Sequence, residues 1–314
     1  MTAPPAGTAF LFPGQGAQRV GMGRALCERF AASRRVFEEV NAALGMDLSA
    51  LCFEGPEEEL RRTVNAQPAL LTVSVAALRA LEAQGVSGSF AAGHSLGEFS
   101  AWVASGALAL ADALPLVRLR AEVMDKAATQ APGAMAAVIG LEEEHVARIC
   151  QLASSLGTVV PANFNAPDQV VISGGQAAVQ RAGELAVEAG AKVVPLSVSG
   201  AFHSPLMAAA AEQFAEAVEK VKLATPRMPV AANATADLVR TEGQVRAAMA
   251  TQMTSPVLWR RSMERLRAEG ARRFLEIGPG KVLAGLMRRI APGAQVVSVE
   301  EPGAVEAAAR EFGA

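Results

Sequence analysis

Ser95 stands in Gly93-His94-Ser95-Leu96-Gly97, a serine with a glycine two positions to either side. A small, apolar lead-in from Ser89 to Ala92 precedes it, and a helical pattern from Leu96 to Ser105 follows. This context suits a nucleophile elbow, where a strand ends, the chain turns sharply and the hydroxyl is held above the sheet edge. Glycines are needed there because strand and helix can crowd together only where Cβ atoms are missing. The helix would also aim unpaired N–H groups and its positive dipole end at an oxyanion forming beside Ser95.

A serine hydroxyl needs a base at neutral pH, and the chain holds three histidines. His94 adjoins Ser95 on a strand end, where neighbouring side chains point to opposite faces. His145 follows Glu142-Glu143-Glu144 on a charged helix and reads as solvated. His203 lies in the loop Gly200-Ala201-Phe202-His203-Ser204-Pro205, and loops on a rigid sheet are where catalytic groups concentrate. His203 is therefore the candidate base. An α/β-hydrolase places an acid between the serine and the histidine in chain order. Here the acidic residues of that interval read mainly as polar helix faces, or as a hairpin turn for Asp168. A neutral amide or carbonyl is expected to orient His203 instead, which counts against an ordinary esterase.

Arg118 and Arg120 sit on an apolar helix from Ala111 to about Ala128. Burying an unpaired charge is very costly, so an arginine on the buried side needs a partner. Periodicity does not choose between the two, and a structural ion pair accounts for either.

The elements that must position these groups alternate. Thr8 to Phe12 reads as a strand running into Pro13-Gly14-Gln15-Gly16-Ala17-Gln18. That loop completes neither a dinucleotide fingerprint nor a P-loop, but its glycines free the backbone to present the Gln15 N–H to a neighbouring site. Helices are expected over Met22–Phe30, Ser33–Leu44, Glu57–Val64 and, more deeply buried, Gln67–Gln84. From Ala134 to Leu196 the order is β-α-β-β-α-β, the split βαβ or ferredoxin-like unit, with Asn165-Ala166-Pro167-Asp168 as turn chemistry. Strands and helices then alternate again: a helix from about Leu206 to Val221, strands near Met228–Ala232, Arg273–Ile277 and Gln295–Val299, and helices over Arg246–Met253, Trp259–Ala268 and Lys281–Ile290. The expected fold is α/β: a hydrolase-like, doubly wound, mostly parallel sheet carried by residues 1–130 and 200–314, with residues 131–199 inserted as a ferredoxin-like subdomain.

Composition narrows the function classes. At 314 residues and 51% hydrophobic, the chain can bury a sizeable core. A net charge of −2 argues against a general nucleic-acid binder. Cys27, Cys52 and Cys150 lack metal-ligand spacing and fit a reducing compartment. With no signal peptide in Met1 to Phe10 and no apolar run of about 18 residues, the expectation is a cytoplasmic protein without a membrane span.

Four segments together resemble the signatures of malonyl-CoA:acyl-carrier-protein transacylases: Phe12-Pro13-Gly14-Gln15-Gly16, Gly93-His94-Ser95-Leu96-Gly97-Glu98, Gly200-Ala201-Phe202-His203-Ser204 and Glu276-Ile277-Gly278-Pro279-Gly280. The resemblance runs through nearly the whole chain, and the architecture read above is that family's. It implies that Ser95 is acylated, that His203 serves as base and then acid, and that the backbone N–H groups of Gln15 and Leu96 form the oxyanion hole. It singles out Arg120 as the partner of the substrate's free carboxylate, and Gln252 as the residue whose carbonyl orients His203. Asn165 corresponds to a residue near the pocket, and a bulky residue at Phe202 goes with malonyl rather than methylmalonyl. The implied substrate is malonyl-CoA, with no permanently bound cofactor or metal, and the implied partner is a phosphopantetheinylated acyl carrier protein. Such carriers are acidic, so Arg260, Arg261, Arg265, Arg267, Arg272, Arg273, Arg288 and Arg289 could steer one in. The pathway implied is fatty acid synthesis. The alternatives are a stand-alone acyltransferase of a polyketide synthase, a serine thioesterase or esterase, and a partner protein that has lost the chemistry.

Overall fold

The computed structural model describes residues 7–198 and 200–313. Among these residues ten strands form two sheets: β1 (Gly7–Phe12), β2 (Phe90–Gly93), β3 (Gly133–Ile139), β4 (Val159–Ala166), β5 (Gln169–Gly175), β6 (Lys192–Pro195), β7 (Val230–Ala231), β8 (Leu238–Val239), β9 (Ala271–Ile277) and β10 (Gln295–Val299). The larger sheet runs β10-β9-β1-β2-β7-β8 and is parallel except for the β7–β8 pair at one edge. The smaller sheet runs β4-β5-β3-β6, all antiparallel, which is the ferredoxin-like order.

Alternation along β1 shows why helices must cover both faces of the larger sheet. Phe10 and Phe12 join the core that includes Leu70, Val73 and Phe99, while Ala9 and Leu11 join Trp259, Met263 and Phe274 on the other side. A strand buried on both faces reads as a continuous apolar run. The smaller sheet is two-sided in a different sense. Ala136 and Val138 of β3 pack with Val146, Ile149 and Val179 of its own helices. Met135 and Ala137, one residue out of phase, face the main core.

The helix Thr63–Ala83 is the axis of the main core. It starts before the expected Gln67 and carries Pro68 inside. Its 21 residues are long and apolar enough to cross a membrane by length and composition alone, but 83% of its most apolar stretch is buried within the protein. Other departures are local. The helix Glu242–Thr251 starts before Arg246 because Thr241 and Gln244 form a reciprocal capping box. The helices Leu48–Glu54 and Pro302–Phe312 and the edge strand β8 were not expected. Asn165 belongs to β4 rather than to the turn, which is confined to Pro167 and Asp168. The smaller sheet is tied to the larger body where Phe164 N donates to Val257 O at 2.9 Å and Val257 N donates to Ala162 O at 2.8 Å.

Candidate active site

The segment from β2 into the helix Gly97–Ala104 makes the expected elbow. Ser95 has φ 51°, the left-handed region that side chains with a Cβ avoid. A Cβ on Gly93 would sit 1.9 Å from the Gly97 carbonyl, and one on Gly97 would sit 2.1 Å from Phe12 O. Both glycines are therefore required by backbone contact. Neighbours hold the strained peptide from both ends. Asn233 Oδ1 accepts the Ser95 N–H at 2.7 Å, and Gln252 Nε2 donates to the Ser95 carbonyl at 2.9 Å. Asn233 Nδ2 also donates to Gly93 O at 2.7 Å.

His203, likewise left-handed at φ 57°, places Nε2 2.7 Å from Ser95 Oγ. Its Nδ1 lies 3.2 Å from Gln252 O and 3.1 Å from Ser255 O. Carbonyls only accept, so Nδ1 carries the proton and Nε2 is free to take one from the serine. The orienting groups are neutral, as expected, and Ser255 joins Gln252 among them. Ser204 Oγ, which donates to Ala201 O at 2.6 Å and accepts from Leu206 N at 3.2 Å, fixes the loop. Burial is the main cause that lowers the pKa of His203 to about 3, with the charges of Arg120 and His94 adding to it. His94 points elsewhere: its Nε2 is 2.8 Å from Asn165 Oδ1 and its ring packs on Trp259.

Of the two arginines, Arg120 is the buried one, 1% exposed, and Arg118 pairs with Glu122 on the surface. Arg120 Nη1 donates to Gln67 Oε1 at 2.6 Å; Nη2 donates to Gln252 Oε1 at 2.9 Å and reaches Ser95 Oγ at 3.3 Å. Its buried Nε has no partner among the described residues, an unmet donor in a group that needs its donors met. Burial lowers its pKa to about 10, against the pull of Glu98, so it stays charged at neutral pH.

Ser95, His203, Arg120, Gln15, Leu96, Phe202 and Asn165 all border one cavity of about 260 Å³. Gln15 arrives there because Gly14 packs its Cα against the His94 carbonyl, where a Cβ would come within 2.4 Å. The backbone N–H groups of Gln15 and Leu96 have no hydrogen-bond partner among the described residues, whereas that of Ser95 is occupied by Asn233. The Phe202 ring fills the space a Gly200 side chain would take. The four-stranded sheet contributes Met135, Ala137, Asn163, Gln169 and Val171 to the far wall. Among the described residues no three His, Cys, Asp or Glu side chains gather as a metal site.

Glu98 departs from the sequence reading. It is 1% exposed rather than on a polar face, and it accepts Asn233 N at 2.7 Å and Gln252 Nε2 in a short contact. Burial pushes its carboxyl up to about 7, against the opposing pull of those donors and Arg120. Gln67, Asn233 and Ser255 were also missed. Asn233 follows the end of β7, beside the elbow strand, and such strand ends carry ligand-contacting groups. The arginines proposed as a steering surface are partly committed: Arg260 and Arg261 pair with Glu143, Arg265 with Glu269, and Arg289 with Asp168.

The acyl transferase domain family matches residues 9–301. A malonyl CoA-acyl carrier protein transacylase of Bacillus subtilis is 44% identical over 302 residues, 96% of this chain and 95% of that one. The solved malonyl-CoA:acyl carrier protein transacylase of Xanthomonas oryzae is 42% identical with a TM-score of 0.95, and all of each chain is covered. A malonyl-transacylase solved in complex with its type II polyketide acyl-carrier protein is 39% identical with a TM-score of 0.95, covering 98% of this chain and 100% of that one. A strained serine paired to a carbonyl-oriented histidine, with a buried arginine beside it, thus stands within relatives matched end to end: the chain belongs to the acyl transferase family, among the malonyl CoA-acyl carrier protein transacylases.

Proposed function

We propose that the protein moves a malonyl group from malonyl-CoA to the phosphopantetheine thiol of an acyl carrier protein, through an ester on Ser95, for fatty acid synthesis. His203 Nε2 takes the hydroxyl proton as Oγ attacks the thioester carbonyl, and the N–H groups of Gln15 and Leu96 hold the oxyanion. The tetrahedral adduct collapses, the C–S bond breaks, and the proton passes from His203 to the departing CoA thiolate. The carrier's thiol then gives its proton to His203 and attacks the ester carbonyl; the C–O bond to Ser95 breaks as His203 returns the proton to Oγ, leaving the acyl group as a thioester on the carrier. Residues 131–199 act in this reading as an inserted unit that walls the acyl pocket, and the three free cysteines suit a cytoplasmic setting.

The observation that carries the reading is a buried guanidinium 3.3 Å from the nucleophile. A hydrolase for neutral acyl groups gains nothing from a desolvated cation there, and burying one is expensive. A carboxylate one methylene from the thioester carbonyl is a short enough anion to reach it, and a guanidinium fork matches its shape.

Intact-protein mass after mixing with malonyl-CoA is the test, followed by addition of phosphopantetheinylated carrier. A malonyl adduct on Ser95 that transfers to the carrier is expected. Release to water at one rate with or without carrier would make the protein a thioesterase.

A further inference from the structure

Glu98 touches neither Ser95 Oγ nor His203, yet it is buried three residues after the nucleophile and both its oxygens are used. Oε1 accepts the backbone N–H of Asn233 at 2.7 Å, and Oε2 accepts Gln252 Nε2. The two residues it holds lead to the two ends of the Ser95 peptide. Asn233 Oδ1 takes the Ser95 N–H and Gln252 Nε2 reaches the Ser95 carbonyl. Gln252 also presents Oε1 to Arg120 Nη2 at 2.9 Å.

A glutamine amide has a donor end and an acceptor end of nearly equal shape. Which end meets Arg120 is decided by what sits at the other end, and here two oxygens accept from it, the Ser95 carbonyl and Glu98 Oε2. With the nitrogen held by both, the oxygen faces the guanidinium. We infer that Glu98 is a positioning residue: through Gln252 it aims Arg120 at the carboxylate of the incoming acyl group, and through Asn233 it steadies the left-handed Ser95 peptide. The inference rests on the roles given above to Ser95 and Arg120.

Glu98→Gln separates this from mere packing, because volume and shape are kept. If the new oxygen stays with Asn233 N–H, the new nitrogen meets Gln252 Nε2, donor against donor. Turning Gln252 over gives no relief, because it sets its nitrogen against Arg120, two donors, and its oxygen against the Ser95 carbonyl, two acceptors, so either arrangement disturbs the group that faces Arg120. The malonyl arm should therefore suffer more than the nucleophile does.

The experiment compares kcat/KM for Ser95 loading from malonyl-CoA and from acetyl-CoA, which lacks the carboxylate, in wild type, Glu98→Gln, Arg120→Ala and the double variant. Glu98→Gln is expected to lower the malonyl-to-acetyl ratio about tenfold or more, and to change it less than about twofold once Arg120 is gone, since residues acting through one another are non-additive. Asn233→Ala, which cuts the other branch, should slow both substrates alike and leave the ratio near wild type. If Glu98→Gln does not fold, Glu98→Asp withdraws the carboxylate by one methylene and carries the same expectation for the ratio. A folded Glu98 variant that keeps the wild-type ratio while Arg120→Ala loses it would overturn the role of Glu98 alone. Additive losses in the double variant would do the same. An Arg120→Ala enzyme that keeps its malonyl preference would instead sink the reading beneath.

Discussion

The six-stranded sheet and the four-stranded sheet meet across one cavity but bring different chemistry to it. Every ionisable side chain on the cavity wall, His94, Arg120 and His203, comes from the larger body. The smaller sheet brings apolar and neutral groups: Met135, Ala137, Val171, and the amides of Asn163, Asn165 and Gln169. Charges need partners fixed in place before the substrate arrives, and the larger body supplies them through Gln67, Glu98, Asn233 and Gln252. Shape can be carried by a unit that is tied on by a few bonds, such as those of Phe164 and Ala162 to Val257. In the proposed reading, this division makes reactivity and acyl-group size separable properties of the molecule.

The largest effects should come from the larger body. Ser95→Ala is expected to abolish the covalent adduct and lower transfer by about 10⁴-fold or more. His203→Ala should cost about 10²- to 10⁴-fold, the range for a positioned base. Both are read by stopped-flow or quenched loading with malonyl-CoA. Arg120→Ala is expected to lower malonyl loading by about 10²-fold and acetyl loading much less, since removing one member of a buried charged pair costs roughly 2–5 kcal/mol. Equal losses for both acyl groups would mean that Arg120 supports the site without reading the carboxylate.

The same body should dominate the pH dependence of stability. His203 in the unfolded chain takes up a proton near its ordinary 6.5, whereas in the fold it resists until about 3. Its contribution is therefore complete above 6.5 and is lost as pH falls through that window. Glu98 works oppositely. Raised from 4.5 to about 7, its contribution is complete below 4.5 and lost as pH rises through 7. Thermal melts of His203→Gln should lie furthest below wild type at pH 8 and approach it towards pH 4. For Glu98→Gln the difference from wild type should move in the variant's favour as pH rises from 5 to 8. A pH-independent gap in both would remove these groups from the titration.

What could be read in the sequence was what sterics and local order decide. Gly93 and Gly97 announce the elbow because only a missing Cβ survives at 1.9 and 2.1 Å from backbone. The β-α-β-β-α-β order announces the smaller sheet because that order has few ways to close. Glu98 was misread because a single carboxylate on a short helix ordinarily faces water. All eight residues of Gly97–Ala104 are buried, a fact set by the packing of distant elements. Asn233 was invisible for a related reason: its side chain joins Ser95 and Gly93 from 138 and 140 residues away. The choice between Arg118 and Arg120 came from resemblance, and the geometry adds that Arg120 is the buried one, met by an acceptor on Gln67.

The acyl-size half of the comparison rests on smaller changes. Met135→Ala on the smaller sheet, and Phe202→Ser, whose ring reaches the same cavity from the larger body, each enlarge the pocket without touching a charge, so malonyl loading should fall only a few-fold. Methylmalonyl loading should rise relative to it by about tenfold, since one methylene in a pocket is worth roughly 1–3 kcal/mol. Competition between the two thioesters, read by mass of the serine adduct, decides it. A loss of chemistry as large as that of Arg120→Ala would break the proposed separation.

The smallest effect is expected two residues from one of the largest. Arg118 lies on the same helix as Arg120, but its side chain is 51% exposed and pairs with Glu122 one turn away at 2.9 Å. Water competes for both partners, and pairs of this kind contribute about 0.3–0.5 kcal/mol. Arg118→Ala should leave the malonyl-to-acetyl ratio unchanged and shift the melting temperature by no more than about 1–2 °C. Helix, residue type and charge are shared between the two positions, so the contrast isolates burial as the cause of function. If Arg118→Ala altered selectivity, the carboxylate would be sensing the charge of the whole helix face rather than one oriented guanidinium.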